Sequence, residues 1–316
     1  RTYFEAEKFI KGLKIMRGAA ELASTPEERK AITSEMVDVF VDLYTSDKLD
    51  EVSALDAAAV YEQFTELLPR DERGDAVIEN LAQHLVKANV LTRAANLLGT
   101  QIKMRLNEAK DDAHAARVGL LLASIYLRDN KPEETLRMLR QVEDRLEMVP
   151  QDQQEFKDRA IADILIFRAK ALADRQEYQR ALELLERVEL SPKVNSLRAE
   201  IAWEAQYWDD AAYALNDVVL DQNISLTRPL SALQEDLILN RAVALNLMDD
   251  RIGLANWREK YSVLMSQTNK TRLFDVVTRP RQNAGLADRE TLLNSVSEVD
   301  LFKNFLDSYS GVDGAE

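Results

Sequence analysis

The positions Ala169, Leu172, Tyr178, Ala181, Leu185 and Val188 are followed thirty residues later by Ala199, Ala202, Trp208, Ala211, Leu215 and Val218, with the same gaps between them. Apolar and small residues that return in register within one chain specify a repeated structural unit, because each copy buries the same face against a neighbour. The steps of three and four inside each set are helical steps. Helical segments at 156–174 and 178–188, and at 192–205 and 208–219, are separated by so few residues that each pair must lie antiparallel, as an αα-hairpin.

The rest of the chain is compatible with helix throughout. Its 316 residues are 46% hydrophobic and 30% charged, with only 9 Gly and 7 Pro. Strands and tight turns would demand more β-branched and turn residues, so an all-α fold is expected. The formal net charge of −14 opposes the attraction that drives binding to nucleic acid or anionic lipid. The only basic run, Thr278-Arg279-Pro280-Arg281, reads as a solvated linker. Without cysteine, no disulfide, thiolate zinc site or cysteine nucleophile is possible. No stretch of 18 apolar residues suggests membrane insertion, and no signal peptide is visible. The chain starts at Arg1 rather than Met, as a processed product or an excised part would.

Along the chain, Phe9, Leu13, Met16 and Ala20 form a helical stripe. Thr25 with Glu28 makes a capping box and Pro26 suits a first turn, so a second helix begins there; a further box, Ser53 to Asp56, opens a helix to Leu68. Pro69 to Gly74 is expected to break the chain, and Asp75 to cap a helix through Lys87, followed by one from Thr92 to about Asn107. Further hairpins are expected at 113–129 with 132–146, and at 230–248 with 251–265. A weak seam lies near Pro150, and residues 1–285 read as one array.

The segment Tyr178 to Pro192 resembles the second half of a tetratricopeptide repeat, a family with a small residue where helices cross, an aromatic at the turn, alanine where the second helix packs and a proline ending the unit. The resemblance is clearest at 162–220. It is looser at Ala123, Tyr126, Pro132, Thr135, Leu139 and Val142, looser again at Ala242, Leu245, Arg251, Leu254, Arg258 and Tyr261, and marginal at Gln83, Val86, Thr92, Ala95, Gly99 and Ile102. Successive small-residue anchors stand 40, 46, 30 and 43 residues apart. The resemblance implies a right-handed α-solenoid of antiparallel helical hairpins, a tetratricopeptide-like superhelix.

It also implies a concave groove lined by the first helix of each hairpin. Carried onto this chain, the groove positions are His84 and Lys87; Arg117, Leu120, Ser124 and Arg128; Asp163, Ile166 and Lys170; Glu200, Trp203 and Glu204; and Leu239, Val243 and Asn246. His84, Lys87, Arg117, Arg128, Lys170, Glu200 and Trp203 are the candidate partner contacts. The cations would form either a basic groove or ion-paired, solvated helix faces. Trp203 is either a partner anchor or buried between hairpins, and Trp208 is packing at the turn. The Lys and Asn set with which one tetratricopeptide subfamily clamps a peptide carboxylate is not matched.

No catalytic constellation, metal site or cofactor motif emerges. His84 and His114 fall on different helices, and Asp209-Asp210 and Asp249-Asp250 stand at helix starts, where carboxylates complement the helix dipole. Residues 286–309 carry Leu292, Val296, Val299, Phe302, Leu306 and Tyr309 at helical spacing, as a capping or docking helix would, ahead of a disordered tail at 310–316. The expectation is a non-enzymatic scaffold that binds a peptide or helix of another protein, in a bacterial cytoplasm or periplasm. The alternatives are a structural homo-oligomer joined through the terminal helices and, more remotely, an all-α enzyme.

Overall fold

A computed structural model describes residues 2–108, 112–225 and 227–279. Among them the protein is all-helical, with fourteen α-helices, three short 3-10 segments and no strand. The chain divides into two compact units between Ala160 and Ile161. The weak seam expected near Pro150 lies earlier, in the connection before the helix that contains this division. The segment 286–309 and the tail after it lie outside the described residues.

The first unit begins with α1 (Thr2–Leu22), α2 (Pro26–Thr45) and α3 (Ala54–Gln63). Thr25 accepts the Glu28 N–H at 3.1 Å, and the Glu28 carboxylate reaches back to the Ser24 N–H rather than to that of Thr25. The α3 helix stops at Gln63 instead of Leu68, because Thr65–Leu67 tightens into a 3-10 turn. These helices hold a buried aromatic group in which Phe40 and Tyr44 sit edge to face at 5.1 Å and the Tyr44 hydroxyl donates to the Ala57 carbonyl.

Next come α4 (Glu72–Lys87), α5 (Leu91–Glu108), α6 (Asp112–Arg128) and α7 (Pro132–Met148), each packed on the one before. Asp71, not Asp75, caps α4 by accepting the Arg73 N–H at 3.1 Å, so the helix starts inside the segment expected to be a break. Asp75, in the first turn of α4, instead accepts a hydrogen bond from the Gln101 amide at 3.0 Å. The α6 and α7 helices approach closely at Gly119, where a Cβ would lie 2.5 Å from Val142 Cγ2.

The division falls within α8 (Gln154–Asp174). The second unit continues with α9 (Tyr178–Leu185), α10 (Pro192–Glu204), α11 (Trp208–Asp221), α12 (Ala232–Leu247), α13 (Arg251–Met265) and α14 (Thr271–Thr278). Ser191 caps α10 with Pro192 behind it, and Ser231 with Gln234 forms a reciprocal capping box at α12. One apolar core runs from Ala199 to Val277. In α13 it takes Trp257, Tyr261, Leu264 and Met265, whereas the sequence pattern pointed to Leu254, Arg258 and Tyr261. Trp257 sets that phase: its indole donates to the Ile238 carbonyl at 2.9 Å, and the Arg241 guanidinium lies 4.0 Å over its ring. The short α14, absent from the sequence reading, buries Phe274 and Val277 against α12 and α13.

Five helix-to-helix turns are closed in the same way. Asn89, Asn130, Gln176, Gln206 and Asp249 adopt φ of 59°, 51°, 65°, 58° and 59°. Each donates its N–H to the carbonyl three residues back, and the following residue donates to the carbonyl five residues back, as in Lys131 to Tyr126 and Tyr207 to Ala202. This is a Schellman closure made without glycine. In every case the next helix starts two residues after the left-handed one, at Leu91, Pro132, Tyr178, Trp208 and Arg251.

Seven residues before each left-handed residue stands an alanine: Ala82, Ala123, Ala169, Ala199 and Ala242, none more than 1% exposed. Four of the five positions that follow the turns at matching distance, Ala94, Thr135, Ala181 and Ala211, are fully buried. The first set is therefore anchored on Ala82 rather than on Gln83, which is half-buried, and the expected register there is corrected by one residue. Close helix crossing explains the preference, since a larger side chain at either position would push the axes apart.

Candidate functional site

The seven candidate contacts do not form one surface. His84, Lys87, Arg117 and Arg128 belong to the first unit, and Lys170, Glu200 and Trp203 to the second. Within the first unit, the His84 ring lies inward with Nε2 2.9 Å from the Val52 carbonyl, which places a proton on that nitrogen. Lys87 is exposed in the last turn of α4, and Arg128 is half-buried in the last turn of α6.

In the second unit, Lys170 Nζ lies 3.0 Å from both Asp174 and Glu200, with only 17% of the lysine and 10% of the glutamate side chain exposed. Burial opposes the Lys170 charge, but Glu200 and Asp174 outweigh it and hold the ammonium well above its ordinary pKa. Beside them Lys193 pairs with the buried Asp163 at 2.9 Å, and Asn195 donates to Asp221 at 2.9 Å. Two residues picked as partner contacts thus bind each other. Trp203 is half-buried against the core and meets Trp208 edge to face at 5.4 Å. Several positions implied to line a groove, Leu120, Ser124, Ile166, Leu239 and Val243, are buried in the fold instead.

The first unit contains a contrasting arrangement that spacing alone did not bring together. Asp75 and Glu79 stand one turn apart on α4; His114 and Arg117 stand one turn apart on α6; Gln101 enters from α5. His114 Nε2 lies 3.5 Å from Glu79 Oε1 and 3.9 Å from Asp75 Oδ2. Gln101 Nε2 donates to Asp75 Oδ1 at 3.0 Å. Yet Glu79 Oε1, Gln101 Oε1 and Arg117 Nε are shielded from solvent and make no hydrogen bond. Buried polar atoms are nearly always paired, so three orphans in one cluster mark a place where the fold has not completed its own hydrogen bonding. Burial pushes the Glu79 carboxyl above its ordinary pKa, and the charges of His114 and Arg117 only partly offset this.

Asp75, Glu79, His114 and Arg117 line a cavity of about 940 Å³, together with Asp71, Glu72, Arg73 and Gln153. Among the described residues, no group of three or more His, Asp or Glu side chains is placed to hold a metal ion. Also among them, no helix is long and apolar enough to cross a membrane. Asp250 caps α13 by accepting the Gly253 N–H at 2.9 Å, and Asp209 and Asp210 occupy the first turn of α11. No family model, curated protein or solved structure matches this chain.

Proposed function

We propose that this chain is a non-enzymatic protein-interaction scaffold whose hairpins stack, within each unit, as tetratricopeptide-like repeats of a right-handed α-solenoid, and that the first helices of the hairpins bind a peptide or helix of a partner protein. The observation that carries this reading is the common closure of five turns, each with an alanine crossing point seven residues upstream. Identical joints at unequal intervals of 41, 46, 30 and 43 residues suit an array that keeps one packing rule while varying helix length. In such arrays, binding takes place on helix faces left over from the stacking. Lys87, exposed at the end of α4, and Arg128, half-buried at the end of α6, are the candidate contacts chosen for the test.

Selection from a random-peptide display library against the full chain tests this. The reading expects selected peptides to bind with micromolar or better affinity and to lose about tenfold in affinity to the double variant Lys87→Glu, Arg128→Glu at an unchanged unfolding midpoint. Failure to select any peptide above background, or equal binding by the double variant, would count against it.

A further inference from the structure

We propose that the outer face of α13 and α14 is a docking surface for residues 286–309 of the same chain, which fold back on it as a helix and place an apolar side chain in the cavity where α12, α13 and α14 meet. The inference concerns the second unit and its own chain, so it stands or falls apart from the peptide-binding reading.

The surface gives the first argument. On α13, Ile252, Glu259 and Val263 follow one another at helical spacing, and on α14 Val276 stands between Arg272 and Arg279 in the same way. Ile252, Val263 and Val276 are 76%, 70% and 55% exposed. Beside them Leu245, Leu254 and Ala255 line a cavity of about 140 Å³, with Thr278 and Arg279 also on its wall. Its two aspartates are engaged, Asp249 with Arg251 at 3.2 Å and Asp250 with the Gly253 N–H at 2.9 Å. A cavity of about 150 Å³ holds a benzene ring, so there is room here for one large apolar side chain. Isolated exposed apolar residues need no explanation, but three of them around an apolar hollow mark a surface that something covers.

Chain connection gives the second. The described chain leaves α14 at Arg279, on the cavity wall itself. The six residues 280–285 reach at most about 20 Å, so residue 286 starts beside this surface, and closing so short a loop costs little entropy. From there Leu292, Val296, Val299, Phe302 and Leu306 recur at helical spacing, an apolar stripe that needs a surface to cover.

Charge gives the third. The chain as a whole has a net charge of −14, yet residues 251–279 carry six Lys and Arg against two Glu and Asp. Three of the cations are held by carboxylates: Arg251 by Asp249, Arg258 by Asp275 and Lys270 by Asp236. The other three, Lys260, Arg272 and Arg279, are exposed, and Glu259 is the one exposed carboxylate on these two helices. Residues 286–309 have the opposite balance, with five Asp and Glu against two Lys and Arg. Complementary charge beside an apolar contact selects the partner and its orientation.

The absence of cysteine makes the test direct, because a single introduced thiol is the only one in the chain. The rate of maleimide labelling is measured in the full chain for Ile252→Cys, Val276→Cys and, as an open reference on α1, Ile15→Cys, whose side chain is 74% exposed in the wild type. The expected result is labelling at least about tenfold slower at positions 252 and 276 than at 15, at a rate independent of protein concentration. Adding Val296→Asp and Phe302→Asp should raise the rates at 252 and 276 about tenfold and leave that at 15 unchanged. Where that pair lowers the unfolding midpoint, Arg272→Glu with Arg279→Glu reads the contact from the other side and should speed labelling at 252 about threefold. Equal rates at the three positions overturn the proposal. So does slow labelling that persists in both sets of variants, which would mean that another part of the chain lies on this face, and so does protection lost on dilution, which would assign the face to a second copy.

Discussion

Two helix faces in this protein carry similar residue types and treat them in opposite ways. In the second unit, the α8 and α10 helices bury a lysine between two carboxylates, each at 3.0 Å, and set a second ion pair beside it. In the first, α4 and α6 bring together two carboxylates, a histidine and an arginine, yet leave a carboxylate oxygen, an amide oxygen and a guanidinium nitrogen without hydrogen bonds. The comparison separates two roles for buried charge. A face whose charges are mutually satisfied contributes to specifying the fold, and one whose buried acceptors remain unmet carries a desolvation cost that its own partners do not offset.

The largest expected effect breaks the satisfied face. Lys170→Met leaves Asp174 and Glu200 buried against each other and is expected to cost about 3 kcal/mol in a urea titration, at unchanged m-value. A loss under about 1 kcal/mol would show that the triad is far better solvated than its burial indicates. Close packing gives the next effect. Gly119→Ala drives a methyl into Val142 at the α6 and α7 crossing and is expected to cost about 2 kcal/mol, which would show whether the frame beside the open cluster is rigid.

The pH dependence should also separate the faces. The Glu79 pKa is raised in the folded state, so the folded protein binds more protons than the unfolded chain above pH about 4.3, and its contribution to stability falls as pH rises through the raised value. Glu79→Gln should remove that slope. Lys170 is also raised, but for an ammonium this means a contribution fully present below pH about 10.4 and lost only above it, hence flat across the acidic and neutral range. Stability against pH in wild type and Glu79→Gln checks the sign; a steeper fall with pH in the variant would contradict it. The smallest effect lies in the turns. Gln206→Gly relieves a left-handed non-glycine residue and is expected to stabilise by about 0.5 kcal/mol without altering either cluster.

How much of this was legible in the sequence follows from what spacing can encode. The hairpins around Gln176 and Gln206 were readable, because alanines and apolar positions recur there at fixed offsets and local hydrogen bonds close the turns. At Asn89 the spacing points to Gln83, one residue off the buried Ala82 that holds the equivalent place. In α13, a tertiary choice, the indole of Trp257 bonded to Ile238, set the buried face, and no periodicity predicts which of two adjacent stripes will win. The α4 and α6 cluster was missed for a different reason. Asp75 looked like a helix cap and His114 like an isolated histidine, and nothing local relates position 75 to position 114. The available signal was the pair of one-turn spacings, Asp75 with Glu79 and His114 with Arg117, on helices at equivalent places in neighbouring hairpins. Likewise, Lys170 and Glu200 both stand at groove positions of a first helix, and no local spacing encodes that they meet at 3.0 Å.

The contrast between a buried lysine paired on both sides and a buried glutamate with an unbonded oxygen is tested by neutralising one glutamate on each face without changing its shape. Glu200→Gln and Glu79→Gln should be compared by urea denaturation at pH 7. The account predicts a loss of about 2 kcal/mol for Glu200→Gln, which removes a counter-charge from buried Lys170, and a change within about 0.5 kcal/mol for Glu79→Gln, whose Oε1 makes no hydrogen bond. Equal losses at the two positions, or a larger loss at Glu79, would contradict it.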